Sequence, residues 1–271
     1  MDRLRVLTLN LWGEQAPLER RMEMVVRGLS ELTPDVVALQ EVREIPGRLD
    51  NQAQTLAARA GYQAFVFAPA TGWGGGQEGV ALLSRFAIGE HARHVLPAST
   101  PDETRVLLMA RVHTPQGPVH CYATHLNYRL THGLQREQQV VAIDELVRAQ
   151  AGAGPQIVMG DFNATPDHDE IRYLRGLCTL AGRRTFYQDA WAVCHPGEPG
   201  FTWAQRNPYT EGLAFLGRDR RIDYVWVTAP ARDGRGSVVD ARIVLAEPDR
   251  DGTWASDHFG VLAEIQLTAR P

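Results

Sequence analysis

Asp161 and Asn163 follow the apolar run Ile157-Val158-Met159 inside Gly160-Asp161-Phe162-Asn163-Ala164-Thr165-Pro166, which puts a carboxylate and an amide where a strand opens into a loop. Residues two apart in an extended chain project to the same side. Both groups can therefore converge on a water, a metal or a phosphate oxygen. Asp and Asn at strand ends also cap turns through their own backbone, so the stretch decides nothing alone. What decides is repetition. Residues 5–10 end in Asn10, residues 36–41 in Glu41 and residues 119–125 in His125; residues 221–227 contain Asp223, and Ala255-Ser256-Asp257-His258-Phe259-Gly260-Val261 opens the last apolar run. A buried carboxylate is costly unless it is paired, hydrogen-bonded or on a cation. A cluster of Glu41, Asp161, Asp223 and Asp257 therefore needs partners, and Asn10, His125, Asn163 and His258 are the candidates.

Hydrolysis of a phosphate ester requires a nucleophilic water, neutralisation of charge on the phosphoryl oxygens and help for the departing oxygen. Carboxylates, imidazoles and a hard cation supply all three. Glu41 is the expected principal metal ligand, with Asn10 beside it as an oxygen donor or water holder. Oxygen ligands that leave room for water favour Mg²⁺, with Mn²⁺ as a substitute.

The segments Leu7-Thr8-Leu9-Asn10-Leu11-Trp12, Leu39-Gln40-Glu41-Val42, Glu78-Gly79-Val80-Ala81-Leu82-Leu83-Ser84-Arg85, Thr124-His125-Leu126, Gly160-Asp161-Phe162-Asn163, Arg221-Ile222-Asp223-Tyr224 and Ser256-Asp257-His258 occur in this order. Together they resemble the endonuclease/exonuclease/phosphatase superfamily of pancreatic-deoxyribonuclease-like enzymes. The resemblance implies that Asp161 orients or deprotonates the attacking water and that Asn163 fixes water or phosphate. It implies that His258 donates to the phosphoryl oxygen with Asp223 as its partner, and that Asp257 completes the metal side. It makes His125 the second imidazole with Glu78 as its acid, and Arg105 a phosphate contact.

Those residues must be positioned by a regular frame. Strand-like runs at 5–10, 36–40, 62–68, 80–83, 105–113, 119–124, 157–159, 221–227, 238–244 and 259–267 are interrupted by helical periodicity at 18–32, 49–60 and 132–150. Helices returning between distant strands suit two packed sheets covered on both outer faces. The expected fold is thus α/β, a four-layer α/β/β/α sandwich of two mixed sheets, and the resemblance implies the same. With 271 residues, 44% apolar, and no linker or repeat, one domain over 1–271 is expected.

A net charge of −4 and a pI of about 6.1 disfavour a nonspecific duplex binder, which usually carries a basic face. A DNA or RNA nuclease is therefore the second reading, and a non-catalytic binding protein the third. The phosphate-ester substrate remains open, since substrate differences live in loops. Residues 127–133 and 201–216 carry the candidate substrate contacts Asn127, Trp203 and Asn207. Residues 71–77 read as a mobile loop; their G-x-G-x-x-G leads into a strand and not a helix, so it is no nucleotide fingerprint. His113 and His120 read as core imidazoles. Cys121, Cys178 and Cys194 lack metal or disulfide spacing, and no export or membrane segment is evident, so a cytoplasmic, soluble monomer is expected.

Overall fold

The computed structural model describes residues 2–97, 103–150, 152, 154–216 and 218–269, with the side chains of 213–216 outside that description. In chain order the strands are β1 (Arg3–Asn10), β2 (Val36–Glu44), β3 (Ala64–Trp73), β4 (Gly76–Ser84), β5 (Ile88–Val95), β6 (Val106–Thr114), β7 (Gly117–His125), β8 (Gln156–Asp161), β9 (Tyr187–Asp189), β10 (Asp223–Thr228), β11 (Val238–Val244) and β12 (Gly260–Gln266). They form two six-stranded sheets, ordered β11-β12-β1-β2-β4-β3 and β5-β6-β7-β8-β10-β9. Each sheet is mixed, because β1 with β2 and β7 with β8 run parallel while their neighbours run antiparallel. The helices are α1 (Leu18–Leu32), α2 (Gln52–Ala60), α3 (Gly133–Ala149), α4 (Asp169–Leu174) and α5 (Ala190–Cys194). Each parallel pair is joined through a helix, α1 or α3, as a parallel connection requires.

Central strands are apolar on both faces because both faces are covered. In β1, Leu4 and Val6 enter the core between the sheets and meet Leu108, Cys121 and Met159 of the other sheet. Leu7 and Leu9 point the opposite way, onto Met22, Val25 and Leu29 of α1 and Leu56 of α2. The outer face of the second sheet packs Tyr122, Val158 and Trp226 against Val140, Ile143 and Val147 of α3. The four-layer sandwich expected from the sequence is the fold of the chain.

Local chemistry sets the boundaries. Asn51 caps α2 by accepting from the backbone N–H of Ala53 and Gln54 at 3.0 and 3.2 Å. Thr33, left-handed at φ 48°, ends α1 immediately before Pro34.

Residues 71–77 correct the sequence reading. They are a hairpin and not a mobile loop, with Trp73 paired to Gly76 across Gly74 and Gly75. Both central glycines have positive φ, 55° and 84°, which a two-residue type I′ hairpin turn demands. His113 is exposed and His120 half-buried, so neither is a core imidazole. Among the described residues no helix is long and apolar enough to cross a membrane.

Candidate active site

Strand register assembles the site before any side chain is considered. His125 lies opposite Asp161 in the β7–β8 pair, and Asp161 opposite Asp223 in the β8–β10 pair. Directly paired residues project to one face, so three functional groups form a row across the second sheet. That close pairing needs Gly160, where a Cβ would lie 2.1 Å from the carbonyl oxygen of Thr124. In the first sheet, Asn10 ends β1 opposite Gln40. The register of β2 with β4 slips between Leu39 and Val42, and Glu41 within that bulge takes φ 53°. A bulge re-aims a side chain that alternation would send elsewhere.

The Asn10 amide joins the two sheets. Its Nδ2 donates to Glu41 Oε1 and to Asp161 Oδ2, both at 3.1 Å, while its Oδ1 accepts from the Trp12 N–H at 2.9 Å. Asp161 Oδ1 accepts from the Asn163 N–H at 2.8 Å, a turn-type bond that leaves Oδ2 toward the cleft. Asn163 itself is left-handed at φ 51°, and its Nδ2 donates to the Leu126 carbonyl at 3.1 Å. His258 Nδ1 is 2.9 Å from Asp223 Oδ2, and its Nε2 is 3.8 Å from Asp161 Oδ2. The Ser256 hydroxyl donates to the Asn10 carbonyl at 2.6 Å and accepts from the His258 N–H at 3.2 Å, tying the last turn to β1. Asp223 is fixed from behind by Thr202 Oγ1, which accepts its N–H at 3.1 Å.

Burial and charge divide the two imidazoles. Burial opposes a proton on His258, but Asp223, Asp257 and Asp161 together outweigh it and hold the ring well above the ordinary histidine value. His125 moves well below it, through burial and then the nearby Arg105 and His258 charges. His125 is accordingly neutral, and its 3.4 Å contact with Asp161 is no ion pair. Burial first, then the repulsion of Asp223, raises Asp161 to about 7. Burial and Glu41 raise Glu78 to about 7, and burial raises Asp257 to about 6.

These shifts set the pH dependence of the metal-free protein. A carboxylate raised in the fold costs stability as pH climbs from its unfolded to its folded value. Asp161, Glu78 and Asp257 do so between about 4 and 7, and His258 stabilises below about 6.5 and loses that contribution at still higher pH. Only His125 among the site groups acts the other way, and it stops at about 6.5. The metal-free melting temperature is therefore expected to fall from pH 5 to pH 8. Saturating Mg²⁺ should flatten that slope, and thermal denaturation across the range with and without the ion checks both. An unchanged slope would separate the carboxylates from any cation.

The cleft has a volume of about 550 Å³ and is lined by Glu41, Glu78, Arg105, His125, Asp161, Asn163, Trp203, Asp257 and His258, all named from the sequence. Several roles change. Glu78 is ion-paired with Arg43 and makes no contact with His125 that would orient that ring. Arg105 is held by Glu103 at 3.0 Å. Asn10 spaces the two acids through Nδ2, and its Oδ1, which accepts one bond from Trp12, keeps a second lone pair for a cation or water. Asn127 and Asn207 are fully buried away from the cleft. Gln139 donates to Asn127 Oδ1 at 2.5 Å, while Asn207 donates to the Ser256 carbonyl at 2.8 Å and accepts from the Tyr209 N–H. Both hold loops.

Arg43 and Glu103 escaped the sequence reading. Glu103 and Arg105 stand two apart, the extended-chain spacing that places both on one face. Arg43 stands two after Glu41, but the bulge that re-aims Glu41 cannot be read from the sequence.

The donor set suits a divalent cation. Glu41 and Asp257 face the cleft with Asp161 and Glu78, and three of these four acids are held toward the neutral form by burial and mutual repulsion. Buried oxygen groups crowded together and repelling one another fit a hard cation. Asp161, Asp223 and His258 also approach within 4.8 Å of one another, but His258 keeps its Nδ1 on Asp223. A ring that retains protons on both nitrogens serves as an acid and not as a ligand.

Metal-dependent phosphoesterases and nucleases are built on this fold with such a site. The chain belongs to the Endonuclease/Exonuclease/phosphatase family, whose sequence profile matches residues 7–258. It is 22% identical over 313 residues to the Caenorhabditis elegans uncharacterized protein F14F9.5, covering 96% of this chain and 90% of that one. Among solved structures it is similar to D. rerio TDP2 complexed with single strand DNA product, with a TM-score of 0.77 and 21% identity over 98% of this chain and 100% of that chain. It is also similar to the human Nocturnin catalytic domain with bound sulfate anion, with a TM-score of 0.73 and 22% identity over 98% of this chain and 94% of that chain. At such identities the structural likeness shows the fold.

Proposed function

We propose that the protein is a divalent-metal-dependent hydrolase of phosphate esters, with phosphodiesters as its preferred class. The observation that carries this reading is the Asn10 amide gripping Glu41 and Asp161 from two sheets while the His258–Asp223 pair faces Asp161 at 3.8 Å. Base, acid and cation-binding carboxylates thereby share one cleft.

Asp161, near neutrality in its proton affinity, accepts the proton of the attacking water. His258, kept protonated by Asp223, donates through Nε2 to the phosphoryl oxygen on which charge grows. Neutral His125 and Asn163 line the same cleft and orient water and ester. Glu41 and Asp257 would hold the cation, which supplies charge neutralisation and a more acidic water. Trp73 and Tyr128, both more than half exposed on the rim, face the parts of the ester beyond phosphorus.

Mg²⁺ with Mn²⁺ as substitute belongs to this proposal, as does a monomeric single domain over 1–271 in the cytoplasm. Cys121, Cys178 and Cys194 are free thiols, as a reducing compartment keeps them. Single-stranded nucleic acid is the second reading, favoured by the product named in the D. rerio TDP2 structure and opposed by the charge of −4. The test is hydrolysis of bis-p-nitrophenyl phosphate and p-nitrophenyl phosphate. The diester is expected to be cleaved faster, and EDTA is expected to lower the rate by about 100-fold or more. Turnover indifferent to EDTA, or neither ester cleaved with any divalent ion, would end the reading.

A further inference from the structure

Three arginines that are wholly or partly buried line the catalytic cleft: Arg43, Arg105 and Arg220. Two are neutralised at home, Arg43 by Glu78 and Arg105 by Glu103. Arg220 differs. Among the described residues no carboxylate lies within ion-pair distance of it, and its buried Nε, like that of Arg43, has no hydrogen-bond partner. A charge partly withdrawn from water with no carboxylate partner is unfavourable, so this residue is kept at a cost to the fold.

Its position is rigid. Arg220 and Trp203 exchange backbone hydrogen bonds of 2.8 and 3.0 Å, and Trp203 is bridged on its other side to His258. Arg220, Trp203 and His258 thus stand side by side across three short extended segments, all facing the cleft. The guanidinium lies over the Trp203 ring at 4.7 Å. Asp161 is the acid whose charge acts on it, and both line the same cleft. A second concavity of about 780 Å³ also borders it, leaving it reachable from two sides.

We infer that Arg220 is a catalytic residue that binds the non-bridging oxygens of the substrate phosphate, the anion that supplies its missing partner. The inference rests on the phosphoesterase reading and assigns to Arg220 the contact that the family resemblance implies for Arg105. A fixed, unpaired guanidinium is ready for an anion without reorganisation, whereas Arg105 would first have to leave Glu103.

The test uses orthophosphate as the probe and Arg220→Met and Arg220→Lys as the variants. In wild type, phosphate should raise the melting temperature, measured with and without Mg²⁺. Arg220→Met should lose that response, melt no lower than wild type without phosphate, and lose about 30-fold or more in kcat/KM on bis-p-nitrophenyl phosphate. Arg220→Lys should recover part of both. A phosphate response and kcat/KM that survive in Arg220→Met overturn the inference. So does a melting temperature that collapses in both variants along with activity, which marks a structural residue. If wild type cleaves no ester yet its phosphate response depends on Arg220, the hydrolase reading falls and this inference stands. If wild type and Arg220→Met cleave the diester equally, the reverse holds.

Discussion

His258→Ala is expected to lower kcat on a phosphodiester by about 10³-fold with bulk secondary structure intact, the range that loss of a positioned proton donor commands. The imidazole is the strongest acid/base candidate because two independent facts coincide on it. Asp223 fixes its Nδ1 at 2.9 Å, and three carboxylates keep it protonated against the pull of burial. The variant also strips Asp223 of its partner. Asp223 Oδ1 already has none among the described residues, and Oδ2 would join it. An orphaned buried carboxylate costs about 3 kcal/mol, so His258→Ala should melt several degrees lower. Asp223→Asn in the same chain should return much of that stability without returning activity. This cycle separates chemistry from folding: circular dichroism and calorimetry report one, steady-state kinetics the other. Wild-type turnover in His258→Ala would remove the residue from the site.

Much of the frame was legible because its central strands obey simple rules. The alternation of Leu4 and Val6 with Leu7 and Leu9 reads as a strand buried on both faces, and the structure sends the two sets into different cores. Elements without such a signal were missed. β5, Ile88–Val95, is a polar edge strand with no apolar run, so nothing in its composition separates it from a loop. α4, α5 and the three-residue β9 are too short for periodicity to register. The 3-10 segment Pro208–Leu216 read as loop for the same reason. At residues 71–77 the glycines read as mobility, although paired glycines also specify the tightest hairpin turn.

The site was legible as residue types at strand ends, and less so as partnerships. Register supplies contacts that the sequence does not print: Asp161 meets His125 and Asp223 because β8 lies between β7 and β10. The pairing of Glu78 with His125 came from resemblance alone. Arg43 is nearer and always charged, and it takes that carboxylate. Amides are harder still, since a buried asparagine reads alike whether it faces a substrate or a backbone carbonyl. Asn10 does span the two catalytic halves, while Asn207 holds the turn at Ser256.

Asp161→Asn is expected to lower kcat by about 10³-fold and, in metal-free protein, to change stability in opposite directions at two pH values. The charged carboxyl is disfavoured in place: a shift from 3.8 to about 7 corresponds to about 4 kcal/mol of cost once the group ionises above neutrality. An asparagine escapes that cost. It pays another, because both Asp161 oxygens accept from donors, Asn10 Nδ2 at Oδ2 and the Asn163 N–H at Oδ1. The new NH₂ must face one of them, a loss of about 1–3 kcal/mol. At pH 8 the relieved charge exceeds the lost hydrogen bond, so the variant should melt above wild type. Near pH 4 Asp161 is protonated in the fold and close to half-protonated in the unfolded chain, so little of that cost remains, the lost hydrogen bond dominates, and the variant should melt below wild type. Adding Mg²⁺ at pH 8 should shrink the advantage, since a cation in the cleft compensates the wild-type charge. A site that sacrifices stability for a base near neutral pH predicts this crossing. A variant that melts below wild type at both pH values would mean Asp161 is a structural hydrogen-bond acceptor, and the base would have to be sought elsewhere.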